Sequence, residues 1–354
     1  MAKIGQRMQG LIDTAQAMVA RGKGLLAMDE SVGTCNQRFA SADIPQTIEM
    51  RHAYRELLLT APKLSDYISG VILVDETIRQ TQADGTSFVR LAQDAGLLVG
   101  IKVDTGAKDL AAHPGEKVTE GLDGLRERLQ GYVALGACFA KWRGVIAVDD
   151  VRLPTKACIE ANAHALARYA ALCQEAGLVP IIEPEVLMTG AHTQARCQDV
   201  TEAVLRSVFA HLAWQGVALE AMLLKPNMVT AGLSCTTQNT AQEVADATVQ
   251  CLLRVVPAAV AGITFLSGGQ SGELASSRLN AMHVRQAAPL PWPLSFSFAR
   301  AIQHPALDIW AGQDVNKVAA QRALVHRARC NVAALKGQYS AEMEDGMEKG
   351  ISTP

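Results

Sequence analysis

Charged side chains close several short apolar runs in this sequence. Leu223-Leu224-Lys225-Pro226-Asn227, Ile182-Glu183-Pro184-Glu185, Lys141-Trp142-Arg143 and Ile101-Lys102-Val103-Asp104 each hold two polar residues spaced by two, and Asp29 follows Leu26-Ala27-Met28. Side chains alternate faces along a strand, so Lys225 shares a face with Leu223 and Asn227, Glu183 with Glu185, Lys141 with Arg143, and Lys102 with Asp104. One charge at a strand end is ordinarily a solvated surface group. Charges at the same end of five runs call for another reading, because burying each is costly unless it is paired or put to use.

The set suits amine chemistry. A lysine attacks a carbonyl only as the neutral amine, and a neighbouring cation disfavours the ammonium form. Lys225, with Lys141 as the candidate neighbour, meets that need. Its amine adds to a ketone to give a carbinolamine, which dehydrates to an iminium. The iminium is an electron sink, so the adjacent carbon–carbon bond can break to leave an enamine. One acid/base must dehydrate the carbinolamine and another base must take a hydroxyl proton; Glu183, Glu185 and Asp29 supply three carboxylates for those roles.

Phosphate features come last in the chain. Ser267-Gly268-Gly269-Gln270-Ser271-Gly272 follows the run Ile263-Thr264-Phe265-Leu266. Its glycines, Gly268 and Gly269 among them, let backbone N–H groups approach an anion, and Ser267 adds a hydroxyl. Arg300 follows the run Leu294-Ser295-Phe296-Ser297-Phe298. Arg143, Lys102 and Arg38 form a second cationic group earlier in the chain. Two separated anion sites imply a small substrate phosphorylated at both ends.

Eight short apolar runs must position these groups: Leu25 to Met28, Ile68 to Val74, Leu97 to Val103, Ala137 to Ala140 (with Val145 to Val148 as a rival), Val179 to Ile182, Met222 to Leu224, Ile263 to Leu266, and Leu294 to Phe298. Helical spacing fills most gaps, as at Asn162 to Gln174, Thr201 to His211 and Gln242 to Val255, and Gly177 stops the first of these before the next run. Eight strand–helix units predict an α/β fold, a TIM (β/α)8 barrel with an extra N-terminal helix. A doubly wound sheet is the alternative, but no Gly-rich dinucleotide turn follows an early run. In a barrel the charged ends converge on the C-terminal mouth, and the loops after strands seven and eight form the usual phosphate site. Residues 1–336 read as one barrel domain and 337–354 as a mobile tail.

Composition narrows the rest. Of 354 residues, 49% are hydrophobic and 19% charged, which excludes a disordered chain and permits a large core. A net charge of −2 and 5% aromatic residues argue against nucleic-acid binding. No apolar run reaches the roughly 18 residues of a membrane span, and the N-terminus lacks a secretory apolar segment, so a cytoplasmic protein is expected. The cysteines, Cys35, Cys138, Cys158, Cys173, Cys197, Cys235, Cys251 and Cys330, form no CxxC pair and read as reduced thiols, none with a histidine near enough in sequence to activate it. The eight histidines form neither HxH nor HxxxH; His113 and Glu116 flank a Pro-Gly turn. No metal and no cofactor are expected.

In order, the blocks Gly24 to Ser31, Gly100 to Asp104, Glu120 to Leu125, Phe139 to Arg143, Glu183 to Glu185, Leu223 to Met228, Phe265 to Gln270 and Ser295 to Arg300 resemble class I fructose-bisphosphate aldolase, the Schiff-base type. The resemblance runs from about Leu11 to Gly337. It implies metal-independent, reversible cleavage of fructose 1,6-bisphosphate to dihydroxyacetone phosphate and glyceraldehyde 3-phosphate, in glycolysis and gluconeogenesis. It implies Lys225 as the Schiff-base lysine, Glu183 as the acid/base of dehydration and Asp29 as the group taking the hydroxyl proton, with Lys141 and Glu185 tuning and positioning the lysine. Ser267, Gly268 and Arg300 are implied to hold the phosphate of the dihydroxyacetone half. Ser31, Thr34, Lys102 and Arg143, with Arg38 nearby, are implied for the other phosphate. A homotetramer is expected on the same ground.

The sequence departs from the family at several positions. Ala299 and Phe298 stand where Gly and Tyr are usual, Met28 where a small residue is common, Thr34 where Ser is common and Gln37 where a lysine is common. The sequence ends in Pro354 rather than the tyrosine of animal members, with Tyr339 the one tyrosine of the tail. The same charges would also serve cleavage of sedoheptulose bisphosphate or fructose 1-phosphate. A non-catalytic scaffold is the third reading, disfavoured because Asp29, Lys141, Glu183 and Lys225 are all present.

Overall fold

A computed structural model describes residues 2–149, 151–284 and 289–344. Its strands are β1 (Gly24–Ala27), β2 (Ile68–Leu73), β3 (Leu98–Lys102), β4 (Gly106–Asp109), β5 (Lys117–Glu120), β6 (Phe139–Ile146), β7 (Val179–Val186), β8 (Leu223–Leu224), β9 (Gly262–Phe265) and β10 (Leu294–Phe298). Eight of them close a barrel in the order β1-β2-β3-β6-β7-β8-β9-β10, every pair parallel, with β10 returning to β1. This is the expected (β/α)8 architecture. All eight apolar runs become strands; β6 spans the end of the favoured fourth run and the start of its rival. The antiparallel pair β4–β5 lies outside the barrel and has no counterpart in the sequence expectations.

The expected helices form with explicit start signals. Thr155, Thr193 and Thr240 cap the helices Lys156–Ala176, Gln194–Trp214 and Ala241–Val255, each side chain accepting from a backbone N–H of the first turn. Thr240 and Glu243 complete a reciprocal capping box. At the other end, the N-terminal helix Ala2–Met18 places Leu11, Ala15 and Met18 in one buried cluster with Leu25, Ile72, Phe139, Ile181 and Leu223. These are barrel side chains, so the helix seals that end with apolar surface.

The two-residue period then sorts each strand. On β6, Phe139, Lys141 and Arg143 face one way, while Ala140 and Trp142 join the larger cluster under the helices. Register pairs Phe139 with Val179, Lys141 with Ile181, and Arg143 with Glu183. On β6 and β7 the inward face therefore runs from apolar at the strand start to charged at its C-terminal end.

Gly100 on β3 admits Phe139 into the barrel: a Cβ there would lie 2.0 Å from the ring Cε2. Gly100→Ala is expected to destabilise the fold by about 1–3 kcal/mol through overpacking. Urea unfolding tests this, and an unchanged midpoint would show that the ring has room to move.

Of the expected tail, residues 337–344 are described. The Tyr339 backbone N–H donates to Asn280 Oδ1 at 3.0 Å, and its hydroxyl donates to Glu344 at 2.7 Å. Arg327 pairs with the same carboxylate. The remainder, 345–354, lies outside the described residues.

Candidate active site

Four charges meet at the C-terminal end of the barrel interior. Lys141 Nζ lies 2.7 Å from Asp29 Oδ2 and 2.9 Å from Glu183 Oε2, and Lys225 Nζ lies 3.0 Å from Glu183 Oε1. None of the four is more than 7% exposed. Backbone pairing sets Lys225 in place: its N–H donates to Ile182 O at 2.8 Å, extending the β7–β8 ladder by one bond. Asn227 fastens the next stretch, accepting from the Val186 N–H at 3.0 Å and donating to Thr201 Oγ1 at 3.2 Å. Asn227 thus holds the lysine segment to its neighbours.

Electrostatics fixes the charge states. Burial pushes the Asp29 carboxyl up, but Lys141 and Lys225 outweigh it and hold it at about 2. The same contest, with Arg143 added to the cations, leaves Glu183 below the usual carboxylate range. Burial lowers Lys141, yet Asp29 and Glu183 override it and keep the ammonium protonated far above its ordinary value. Lys141 is thus a fixed cation between two carboxylates, and Glu183 bridges it to Lys225.

The surrounding cations are also paired. Arg143 binds Glu185 through Nε, and Lys102 Nζ lies 2.6 Å from Asp104 Oδ1. Glu185 is therefore joined to Arg143, where the family resemblance implied a role toward the lysine. Asp104 also accepts from the Arg143 backbone N–H at 3.3 Å, linking the two pairs.

The glycine turn has the backbone it needs. Gly268 and Gly269 have φ of 55° and 92°, the left-handed region, and Gln270 N–H donates to Ser267 O at 3.0 Å. A Cβ on Gly269 would come within 3.1 Å of Arg300 Nη2, so Arg300 lies against the turn. The Leu266 N–H donates to Pro226 O at 3.2 Å, joining this region to the Lys225 segment.

The second cationic group is less compact. Ser31 caps the helix Val32–Ser41, with its Oγ 3.0 Å from Thr34 Oγ1. Those hydroxyls stand at a helix N-terminus, where partial positive charge favours an anion. Arg38 follows Thr34 by one turn of that helix, pairs with Glu30 and lines a cavity of about 490 Å³ together with Arg300, Gly269 and Tyr54.

Sequence reasoning missed the network behind Asp29. Glu30 takes Arg38, Arg55 at 2.7 Å and Gln303 Nε2 at 2.9 Å, and the Tyr54 hydroxyl donates to Gln303 Oε1 at 3.0 Å. Glu30 adjoins Asp29 and could have been flagged; its partners 25 and 273 residues away carry no local signal.

All eight cysteines are free thiols. One expectation needs correction: Cys330 does have a nearby histidine. His326 precedes it by one helical turn, with Nε2 3.5 Å from Sγ. Glu344 completes a group of three donors within 4.8 Å of one another. Its carboxylate is already bound by Arg327 and Tyr339, so the cluster reads as an ion-paired anchor for residues 337–344.

Comparisons with known proteins give the family. The family model for class-I fructose-bisphosphate aldolase matches residues 10–352. A probable fructose-bisphosphate aldolase class 1 from Xanthomonas campestris pv. campestris is 56% identical over 330 residues, covering 93% of this chain and 98% of the relative. Fructose-bisphosphate aldolase B of Gallus gallus is 50% identical over 335 residues, covering 94% and 92%. The co-crystal structure of fructose-bisphosphate aldolase from Plasmodium falciparum in complex with TRAP and a small-molecule inhibitor superposes with a TM-score of 0.93 at 45% identity, covering 95% of this chain and 96% of that one.

Proposed function

The chain belongs to the class I fructose-bisphosphate aldolase family, and from that premise we propose which of its residues perform the reaction. The enzyme is an aldehyde-lyase that cleaves fructose 1,6-bisphosphate reversibly to dihydroxyacetone phosphate and glyceraldehyde 3-phosphate, through a Schiff base and without a metal. The observation that carries the assignment is the buried Lys225–Glu183–Lys141–Asp29 chain of ion pairs.

Lys225 adds as the amine to C2 of the open-chain ketose. Glu183, in contact with Nζ, takes the ammonium proton that frees the Lys225 amine and returns it to the departing C2 hydroxyl, so water leaves and the iminium forms. Asp29, kept ionised by Lys141, takes the C4 hydroxyl proton. The C3–C4 bond then breaks. Its electron pair moves into the C2–C3 bond of the enamine, and C4 leaves as the aldehyde. Protonation at C3 and hydrolysis of the iminium release dihydroxyacetone phosphate and restore the amine. Ser267, the Gly268–Gly269 backbone and Arg300 hold the phosphate of the dihydroxyacetone half; Ser31, Thr34, Lys102 and Arg143 serve the other. Arg38 borders the cavity beside Arg300.

We place the enzyme in the cytoplasm as a homotetramer. The family resemblance supports this, as do apolar side chains such as Trp214 and Leu253, which stand exposed on two outer helices. Among the described residues no helix is long and apolar enough to cross a membrane.

Borohydride added with dihydroxyacetone phosphate is expected to fix one adduct on Lys225, readable by peptide mass spectrometry, with turnover unchanged in EDTA. An adduct on another lysine would overturn the assignment.

A further inference from the structure

Arg278 is a buried cation with no counter-charge among the described residues. It lies on the helix Gly272–Val284, which starts at the end of the phosphate turn, and is only 3% exposed. Other buried arginines have carboxylate partners: Arg55 has Glu30, Arg51 has Glu76 and Arg327 has Glu344. Among the described residues Arg278 has none. Nη1 donates to Gln270 Oε1 at 2.9 Å, and Nε has no partner. Burial lowers this guanidinium below the ordinary arginine range, with no offsetting charge among the described residues.

Gln270 is the residue through which Arg278 reaches the turn. Its backbone N–H closes the turn on Ser267 O, and its side chain spans Arg278 and Met228, with Nε2 3.7 Å from Met228 Sδ. Met228 lies three residues after Lys225. The amide therefore links the Arg278 helix, the phosphate turn and the lysine segment. An unpaired buried charge is destabilising, and its field in a low-dielectric interior is poorly screened. A dianion at the turn supplies the missing opposite charge.

Resting on the phosphate assignment above, we propose that Arg278 is a positioning residue for the dihydroxyacetone phosphate end. Through Gln270 it holds the turn, and its uncompensated charge favours the phosphate-occupied state. The free protein bears the cost of the buried cation, and phosphate binding relieves it.

The test is the concentration of dihydroxyacetone phosphate that half-saturates borohydride trapping, compared with phosphate-free dihydroxyacetone, in Arg278→Met, Arg278→Gln and Arg278→Lys of the full chain. Met and Gln are expected to weaken dihydroxyacetone phosphate about tenfold while leaving dihydroxyacetone within about twofold, a difference in binding confined to the phosphate-bearing ligand. Lys, which keeps the charge, recovers most of the loss. Thermal midpoints hold or rise in Met and Gln, because an unpaired buried charge has been removed. Equal weakening of both ligands, or a loss that Lys and Gln share, overturns the inference. So does unchanged affinity in Gln. If Arg278→Met fails to fold, Gln and Lys carry the comparison. Arg300→Ala separates the two readings: if it leaves dihydroxyacetone phosphate affinity unchanged, the phosphate assignment itself fails.

Discussion

Lys225→Met is expected to abolish cleavage of fructose 1,6-bisphosphate, with a fall on the order of 10⁶-fold, the scale seen when a covalent nucleophile is removed. Methionine retains much of the apolar stem and deletes the amine. Glu183 keeps Lys141 at 2.9 Å, Asp29 keeps it at 2.7 Å, and Asn227 still holds the backbone to β7. The barrel should therefore fold, and the loss should be chemical. No adduct should form with borohydride, while inorganic phosphate still protects Arg300 from a guanidinium-directed reagent. Residual turnover within about a hundredfold of the parent would mean that another group carries the carbonyl chemistry.

Lys141→Met should have the second-largest effect, in two measurements. Removing one member of a buried ion pair costs about 3–5 kcal/mol, and here two carboxylates lose their shared partner. Activity should fall by about 10²–10⁴-fold, because proton transfers through Asp29 and Glu183 both depend on their charge states. The pH dependence has a definite sign. In the parent, Asp29 is depressed to about 2, so it contributes stability above its unfolded value near 3.8, and that contribution is lost as pH falls through 2. In the variant the weight shifts to burial, which raises both carboxyls. A raised carboxyl penalises the fold most at neutral pH and least in acid. The stability gap between variant and parent should thus be wider at pH 7 than at pH 4 in urea melts. A gap that is constant with pH would show that the lysine acts by packing alone.

The site was legible in the sequence to the extent that one strand's alternation reports it. Glu183 and Lys225 stand two residues beyond Ile181 and Leu223, so the inward apolar face itself points to them. Even a two-residue strand, Leu223–Leu224, left enough pattern to place the lysine. The β4–β5 pair left none: Gly106–Asp109 and Lys117–Glu120 are largely polar and lie outside the barrel. Contacts made across the fold were equally silent. Arg38 carries no sign in the sequence of its pairing with Glu30, which Arg55 and Gln303 fix in turn. Arg278 carried no signal in the sequence, because burial without a carboxylate is visible only in three dimensions.

The two ends of the substrate path differ in how their cations are balanced. Lys102 and Arg143 each hold a carboxylate, Asp104 and Glu185, whereas Arg278 behind the glycine turn holds none among the described residues. On the roles proposed above, phosphate at the aldehyde end exchanges one anionic partner for another, and its departure restores a ready-made pair. The net gain there is a difference between two similar interactions, which makes that end a shallow well. At the dihydroxyacetone end no carboxylate among the described residues competes for the buried cation, and the covalent bond to Lys225 adds to the hold. Cleavage therefore separates the substrate into a fragment that is free to diffuse and one that is retained. The order of product release is written into which arginines and lysines already have company.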